Sequence, residues 1–133
     1  MFTDAPPLSG TVRCIIANHE AFFHGQRYRA TDLNRIWNQE YPKNPPIPHE
    51  FEVRERIRPW LEDVDVCIDI HSTTLPSASM VIPASSSTGN RHLCEALSCE
   101  YVVHNIVNYL QGSPIIAYHA NLPGERISIT IEG

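Results

Sequence analysis

The sequence predicts an α/β fold, a mixed sheet flanked by helices. Three observations carry that expectation. The run Val64-Asp65-Val66-Cys67-Ile68-Asp69-Ile70 has strand length and is rich in β-branched residues. The chain end, Arg126-Ile127-Ser128-Ile129-Thr130-Ile131-Glu132, alternates with the period of two that a strand requires. Segments with helical spacing lie between and before these runs, and alternation of that kind indicates a sheet with helices on its faces.

The elements follow in order. Residues 1–9 form a Pro-containing leader without periodicity, and residues 10–133 form the domain. Residues 10–18 read as a strand, and residues 19–38 as loop and short helix. Residues 41–48 carry Pro42, Pro45, Pro46 and Pro48, which predicts an extended loop. Residues 49–62 read as a helix, with Val53, Ile57 and Leu61 on one face. Glu50/Arg54 and Glu52/Arg56 have i,i+4 spacing for ion pairs, and Pro59 is expected to kink the helix end. After the strand at 64–70 come a short strand at 80–83 and a helix at 88–99 with Leu93, Ala96 and Leu97 inward. A strand at 101–103, a short apolar piece at 115–118 and the last strand at 126–132 complete the chain.

Bulk properties exclude several classes. The chain has 133 residues, 42% hydrophobic and 19% charged, which suits one globular domain. A net charge of -5 without a Lys/Arg cluster argues against nucleic acid as a partner. No apolar run approaches the ~20 residues that cross a bilayer, and the start lacks the features of a secretory signal. Cys14, Cys67, Cys94 and Cys99 read as reduced thiols, which points to a cytoplasmic location. Nucleophilic catalysis by Cys67 or Cys94 has no electropositive turn to support it.

Three polar clusters carry the chemistry. Asp69-Ile70-His71-Ser72-Thr73-Thr74 ends an apolar strand, a common way to present a metal ligand held by the rigid sheet. Residue types alone favour a surface histidine there. Asp69 lies on the same face as His71, and orienting its imidazole or facing solvent both remain open readings. Arg27-Tyr28-Arg29-Ala30-Thr31-Asp32-Leu33-Asn34-Arg35 combines guanidinium and amide groups suited to a carboxylate, although any single Arg there also reads as a solvated loop residue. Thr130-Ile131-Glu132 closes a strand with a carboxylate where a general base could act.

The order Asn18-x-x-Ala21, Arg27-Tyr28, Asp32-Leu33-Asn34-Arg35, Asp69-x-His71 and Thr130-Ile131-Glu132 resembles the succinylglutamate desuccinylase/aspartoacylase family. That family belongs to the zinc carboxypeptidase-like (phosphorylase/hydrolase-like) hydrolases, and the resemblance runs from about Gly10 to the last residue. It implies a partial domain of that fold, with His71 as a zinc ligand and Asp69 behind it. It implies Arg27 as the group that polarises the scissile carbonyl, and Asn34 and Arg35 as holders of the substrate carboxylate. Glu132 becomes the general base, and one zinc ion per complete site is the cofactor.

The family takes its other two zinc ligands from a His-x-x-Glu motif well before Arg-Tyr, and residues 1–26 contain no match. His92-Leu93-Cys94-Glu95 has the spacing but follows His71 on a predicted helix, and reads as an exposed face. His49, His104 and His119 read as structural or surface residues. The chain therefore resembles the middle of a longer catalytic domain. An unpaired apolar sheet edge is expected, and with it self-association. The function implied is a zinc-dependent hydrolase that cleaves the amide bond of a small N-acyl amino acid or related carboxylate-bearing substrate. The alternative is a non-catalytic fragment or remnant of the same fold, acting as a binding or interaction module.

Overall fold

The computed structural model of the chain describes residues 9–72, 76–109 and 111–133. All but the last residue of the expected leader, and Thr73 and Thr74 of the His71 cluster, lie outside the described residues.

Helix α1 spans His19–Phe23, and the Asn18 side chain caps it by accepting from the Ala21 amide. A 3-10 turn, Leu33–Arg35, is capped in the same way by Asp32. Helix α2 spans His49–Glu62, the range its apolar spacing predicts. It runs through Pro59 to Glu62, because a proline in the last turn removes only one backbone bond. Strands β1 (Val66–His71) and β2 (Met80–Pro83) follow. Helix α3 spans Thr88–Ala96, and strand β3 is the pair Tyr101–Val102. The apolar piece near residue 115 is a helix, α4 (Ile115–Ala120), started by Pro114, and strand β4 (Ile127–Glu132) ends the chain.

The sheet order is β1-β4-β2-β3. The last strand therefore inserts between two earlier ones, parallel to β1 and antiparallel to β2. Its alternating sequence suits that place, since Ser128, Ile129 and Thr130 are all buried beneath layers on both faces. On one face Cys67 packs with Val53, Ile57 and Leu61 of α2, with Tyr118 of α4 and with Trp37. On the other, Val81 and Ile129 pack with Cys94 of α3. Helices thus cover both faces of a mixed sheet, as expected.

Several expectations are corrected. Residues 11–16 are not a strand: no described strand pairs with them, and Val12, Ile15 and Ile16 are exposed. Apolar alternation alone cannot make a strand without a ladder partner. Helix α3 stops at Ala96, with Leu97 as its C-cap, before the left-handed Ser98 (φ 48°). It buries Cys94 where Ala96 was expected inward, and Ala96 is exposed. Neither helical ion pair on α2 forms. Glu50 and Arg54 are both buried and bond elsewhere, and Glu52 and Arg56 point to solvent. Strand β1 is an edge among the described strands, with Val66, Ile68 and Ile70 exposed on one face.

Candidate active site

Parallel strands β1 and β4 end side by side, with Asp69 opposite Thr130 and His71 opposite Glu132. Ligand sites of α/β sheets collect at such carboxyl ends. A cavity of about 70 Å³ opens there, with Arg27, Asn34, Arg35, His71, Thr130 and Glu132 on its polar side. Ile82, Pro114 and Ile116 form part of its apolar wall. Five of the six residues singled out from the sequence line this cavity, and the sixth, Asp69, sits directly behind His71.

His71 Nε2 lies 2.8 Å from Asp69 Oδ2. That hydrogen bond raises the imidazole pKa above its ordinary value, burial opposes it, and the nearby Glu132 carboxylate adds to the rise. With Asp69 as acceptor, Nε2 carries the proton and Nδ1 keeps the lone pair that could meet a metal. Asn34 closes the group. Its Nδ2 donates to Asp69 Oδ2 at 2.9 Å and lies 2.7 Å from His71 Nε2, while its Oδ1 accepts from the Ile115 amide at 3.0 Å.

Arg27 arrives on the loop before the 3-10 turn, and Arg35 is the last residue of that turn. Arg27 Nε and Nη2 donate to Asp32 Oδ2 at 3.1 and 3.0 Å. Asp32 Oδ1 also accepts from the Asn34 amide at 2.9 Å, so one carboxylate fixes both the cation and the turn. Arg35 is tied at Nη1 to the Asn34 carbonyl at 2.9 Å. Gly112 packs against this turn with φ +86°, and a Cβ there would strike the Arg35 backbone. The Ser113 amide in turn donates to the Arg35 carbonyl at 3.1 Å.

Sequence reasoning missed Glu50, whose spacing suggested a surface pair. It is fully buried and accepts from the Asn18 side chain and from the amides of Arg29, Ala30 and Thr31. Burial pushes its pKa up, but the Arg29 and Thr31 amides and Asn18 together outweigh it and hold the carboxyl below its ordinary value. His119 is structural: its ring bridges Ser128 Oγ at 2.6 Å and the Val64 carbonyl at 3.0 Å. His92 and Glu95 are both exposed on α3.

A metal fits this donor set only in part. Among the described residues no group of three His, Cys, Asp or Glu side chains could hold an ion. His71, oriented by Asp69, is a single ligand, whereas a catalytic zinc needs three from protein. No helix among the described residues is long and apolar enough to cross a membrane.

The fold is shared with several solved structures. Murine aminoacylase 3 superposes with a TM-score of 0.64 at 20% identity, over 89% of this chain and 42% of that one. Succinylglutamate desuccinylase from Vibrio cholerae gives 0.69 at 19%, over 89% and 37% respectively. The enzyme of the same name from Vibrio parahaemolyticus gives 0.66 at 16% identity, with the same coverage. The chain thus spans about two fifths of the length of these solved relatives. No curated protein matches it in sequence. The sequence model of the succinylglutamate desuccinylase/aspartoacylase catalytic domain matches residues 3–132, and the chain belongs to that family.

Proposed function

We propose that this chain forms the substrate-carboxylate and general-base side of a zinc-dependent deacylase site, acting on a small N-acyl amino acid. The observation that carries the reading is the meeting of Arg27, Asn34, Arg35, His71 and Glu132 around one cavity at the ends of two parallel strands. Arg35, and Arg27 when it swings from Asp32, offer guanidinium donors suited to a carboxylate or a developing oxyanion. Glu132 is the carboxylate in reach to take a proton, and Asp69 holds His71 in one tautomer. In this reading zinc has His71 as its ligand from the described residues, with two further ligands from outside them.

The test is hydrolysis of N-acetylaspartate and N-succinylglutamate with zinc supplied. It compares this chain with a version extended upstream through any His-x-x-Glu. Turnover and zinc uptake are expected from the extended protein, with E132Q abolishing turnover and keeping the metal. An extended protein that takes up no zinc, or hydrolysis that survives E132Q, refutes the reading.

A second reading, a carboxylate-binding module without catalysis, is favoured by the absence of a three-ligand group among the described residues. It is selected if the chain binds these acids and the extended protein does not turn them over. Self-association through the β1 edge accompanies either reading, since Ile70 is 77% exposed beside Val66 and Ile68. Sedimentation should show concentration-dependent dimers that Ile70→Lys removes, and a wild-type chain that stays monomeric counts against it.

A further inference from the structure

Glu50 is an unusual buried charge. No Lys or Arg among the described residues pairs with it, and its two oxygens meet only N–H donors. Oε1 accepts from Asn18 Nδ2 at 3.0 Å and the Arg29 amide at 2.6 Å. Oε2 accepts from the Ala30 amide at 3.2 Å and the Thr31 amide at 3.1 Å. Consecutive amides turned onto one anion form a nest, here occupied by the protein's own carboxylate. Its position in the first turn of α2 adds the favourable end of the helix dipole.

The nest lies between Arg27 and Asp32. Backbone fixed at residues 29–31 sets where both ends of that loop point, and the two ends meet in the bonds of Arg27 to Asp32 Oδ2. Asp32 then caps the turn that carries Asn34 and Arg35. Asn18, which caps α1, is gathered into the same carboxylate. A chain of bonds therefore runs from Glu50 through the loop backbone to the guanidinium in the cavity.

We propose that Glu50 is a positioning residue of the site, whose carboxylate holds the 29–31 backbone so that Arg27 stands in the cavity opposite His71 and Glu132. The proposal rests on the reading of that cavity as a carboxylate site. It makes a specific demand on chemistry. A carboxamide of the same shape must turn its NH2 towards one pair of N–H donors, because both oxygens of Glu50 only accept. Gln at this position thus opens the nest although its size is right.

The experiment uses the full chain, with N-acetylaspartate as probe and Glu52→Gln, an exposed neighbour on α2, as control. Calorimetric affinity is measured in a cycle of Glu50→Gln, Arg27→Gln and the double variant. The Arg27 Nε–H resonance, assigned by its loss in Arg27→Gln, reports the loop directly, and circular dichroism verifies folding. Glu50→Gln should weaken binding about tenfold and broaden or shift the Arg27 resonance. In the Arg27→Gln background it should change affinity by less than about twofold, since the effect passes through Arg27. Equal losses in both backgrounds, or an Arg27 resonance unchanged in Glu50→Gln, overturn the proposal. A wild-type chain that binds no N-acetylaspartate overturns the carboxylate-site reading instead, and the Arg27 resonance then decides the Glu50 contact by itself. If Glu50→Gln does not fold, Glu50→Asp takes its place in the cycle. It keeps the charge but draws it back by one methylene, so the same loss of affinity and the same change in the Arg27 resonance are expected, and their absence overturns the proposal.

Discussion

Arg54→Met separates two accounts of helix α2. As an exposed i,i+4 partner of Glu50, Arg54 would contribute about 0.3–0.5 kcal/mol. In the structure it is 1% exposed, and Nη1 donates to the Ile36 carbonyl at 2.6 Å and the Gln39 carbonyl at 2.7 Å. Its Nε donates to Glu55 at 2.8 Å, and the guanidinium lies 4.9 Å from the Phe51 ring centroid. Methionine keeps much of the stem's volume and its contact with Phe51, but it donates nothing. A hydrogen bond from a charged donor contributes about 1.5–3 kcal/mol, and both carbonyls lose that donor, although Ile36 keeps its bond from the Gln39 amide. Two such bonds, less the retained packing, put the loss at about 3–5 kcal/mol. Domains have roughly 5–15 kcal/mol in total, so about a fifth or more of the stability should go. Urea unfolding followed by far-UV circular dichroism and tryptophan fluorescence measures it. A loss below about 1 kcal/mol would return Arg54 to the ordinary surface class and refute the buried clamp.

Gly112→Ala should cost about 1–3 kcal/mol, because its left-handed φ disfavours a side chain and the added Cβ meets the Arg35 backbone. Substrate-acid binding should weaken with it, and a variant with unchanged melting and affinity would show that the 112–113 segment does not brace the turn. For His119, burial lowers the pKa below its ordinary 6.5, with Arg126 acting in the same direction and the Val64 carbonyl opposing. The unfolded state then binds more protons below pH 6.5, so this group's stability is complete above that pH and is lost as pH falls towards the folded value. The difference in urea midpoint between wild type and His119→Gln should narrow on acidification through that window, and a constant difference excludes the linkage. Burial, then the neighbouring Asp69, pushes the Cys67 thiol up to about 12. A thiol reagent at mildly alkaline pH should label exposed Cys14 and spare Cys67 in the native chain, and mass spectrometry showing native labelling of Cys67 contradicts its burial.

Helix α2 and strand β2 were legible to the residue because their signals are local. Apolar spacing in one and a bounded apolar run in the other suffice to set the ends. The place of β4 was not legible, since alternation says that a strand has two faces but not which strands flank it. Residues 11–16 show the converse failure, an alternating segment with no ladder partner among the described strands. Glu50 and Arg54 were misread because i,i+4 spacing describes an isolated helix. In the fold the first turn of α2 lies against the 29–31 loop, and backbone amides and carbonyls outcompete the side-chain pair. The polar residues of the cavity were legible only as a motif. Their convergence depends on the parallel register of β1 with β4, which sets His71 against Glu132 across many intervening residues.

Asn34 shows how that convergence divides the work. The family resemblance gives it the substrate carboxylate together with Arg35, yet its amide is already engaged at both ends. Its Nδ2 donates to Asp69 Oδ2 and lies beside His71 Nε2, and its Oδ1 is held by the Ile115 amide at the start of α4. An arriving carboxylate would have to displace Asp69 from that donor and so release the group that orients His71. The arginines face no such conflict. Arg35 is tied mainly through one Nη1 bond, and Arg27, 58% exposed in its side chain, shares its carboxylate with the solvent. An ion pair that open exchanges readily for a substrate carboxylate, because it contributes at most about 1 kcal/mol. Under the proposed function, the arginines are therefore the anion-binding groups. Asn34 is the joint that keeps Asp69, His71 and the start of α4 in one arrangement while they do so.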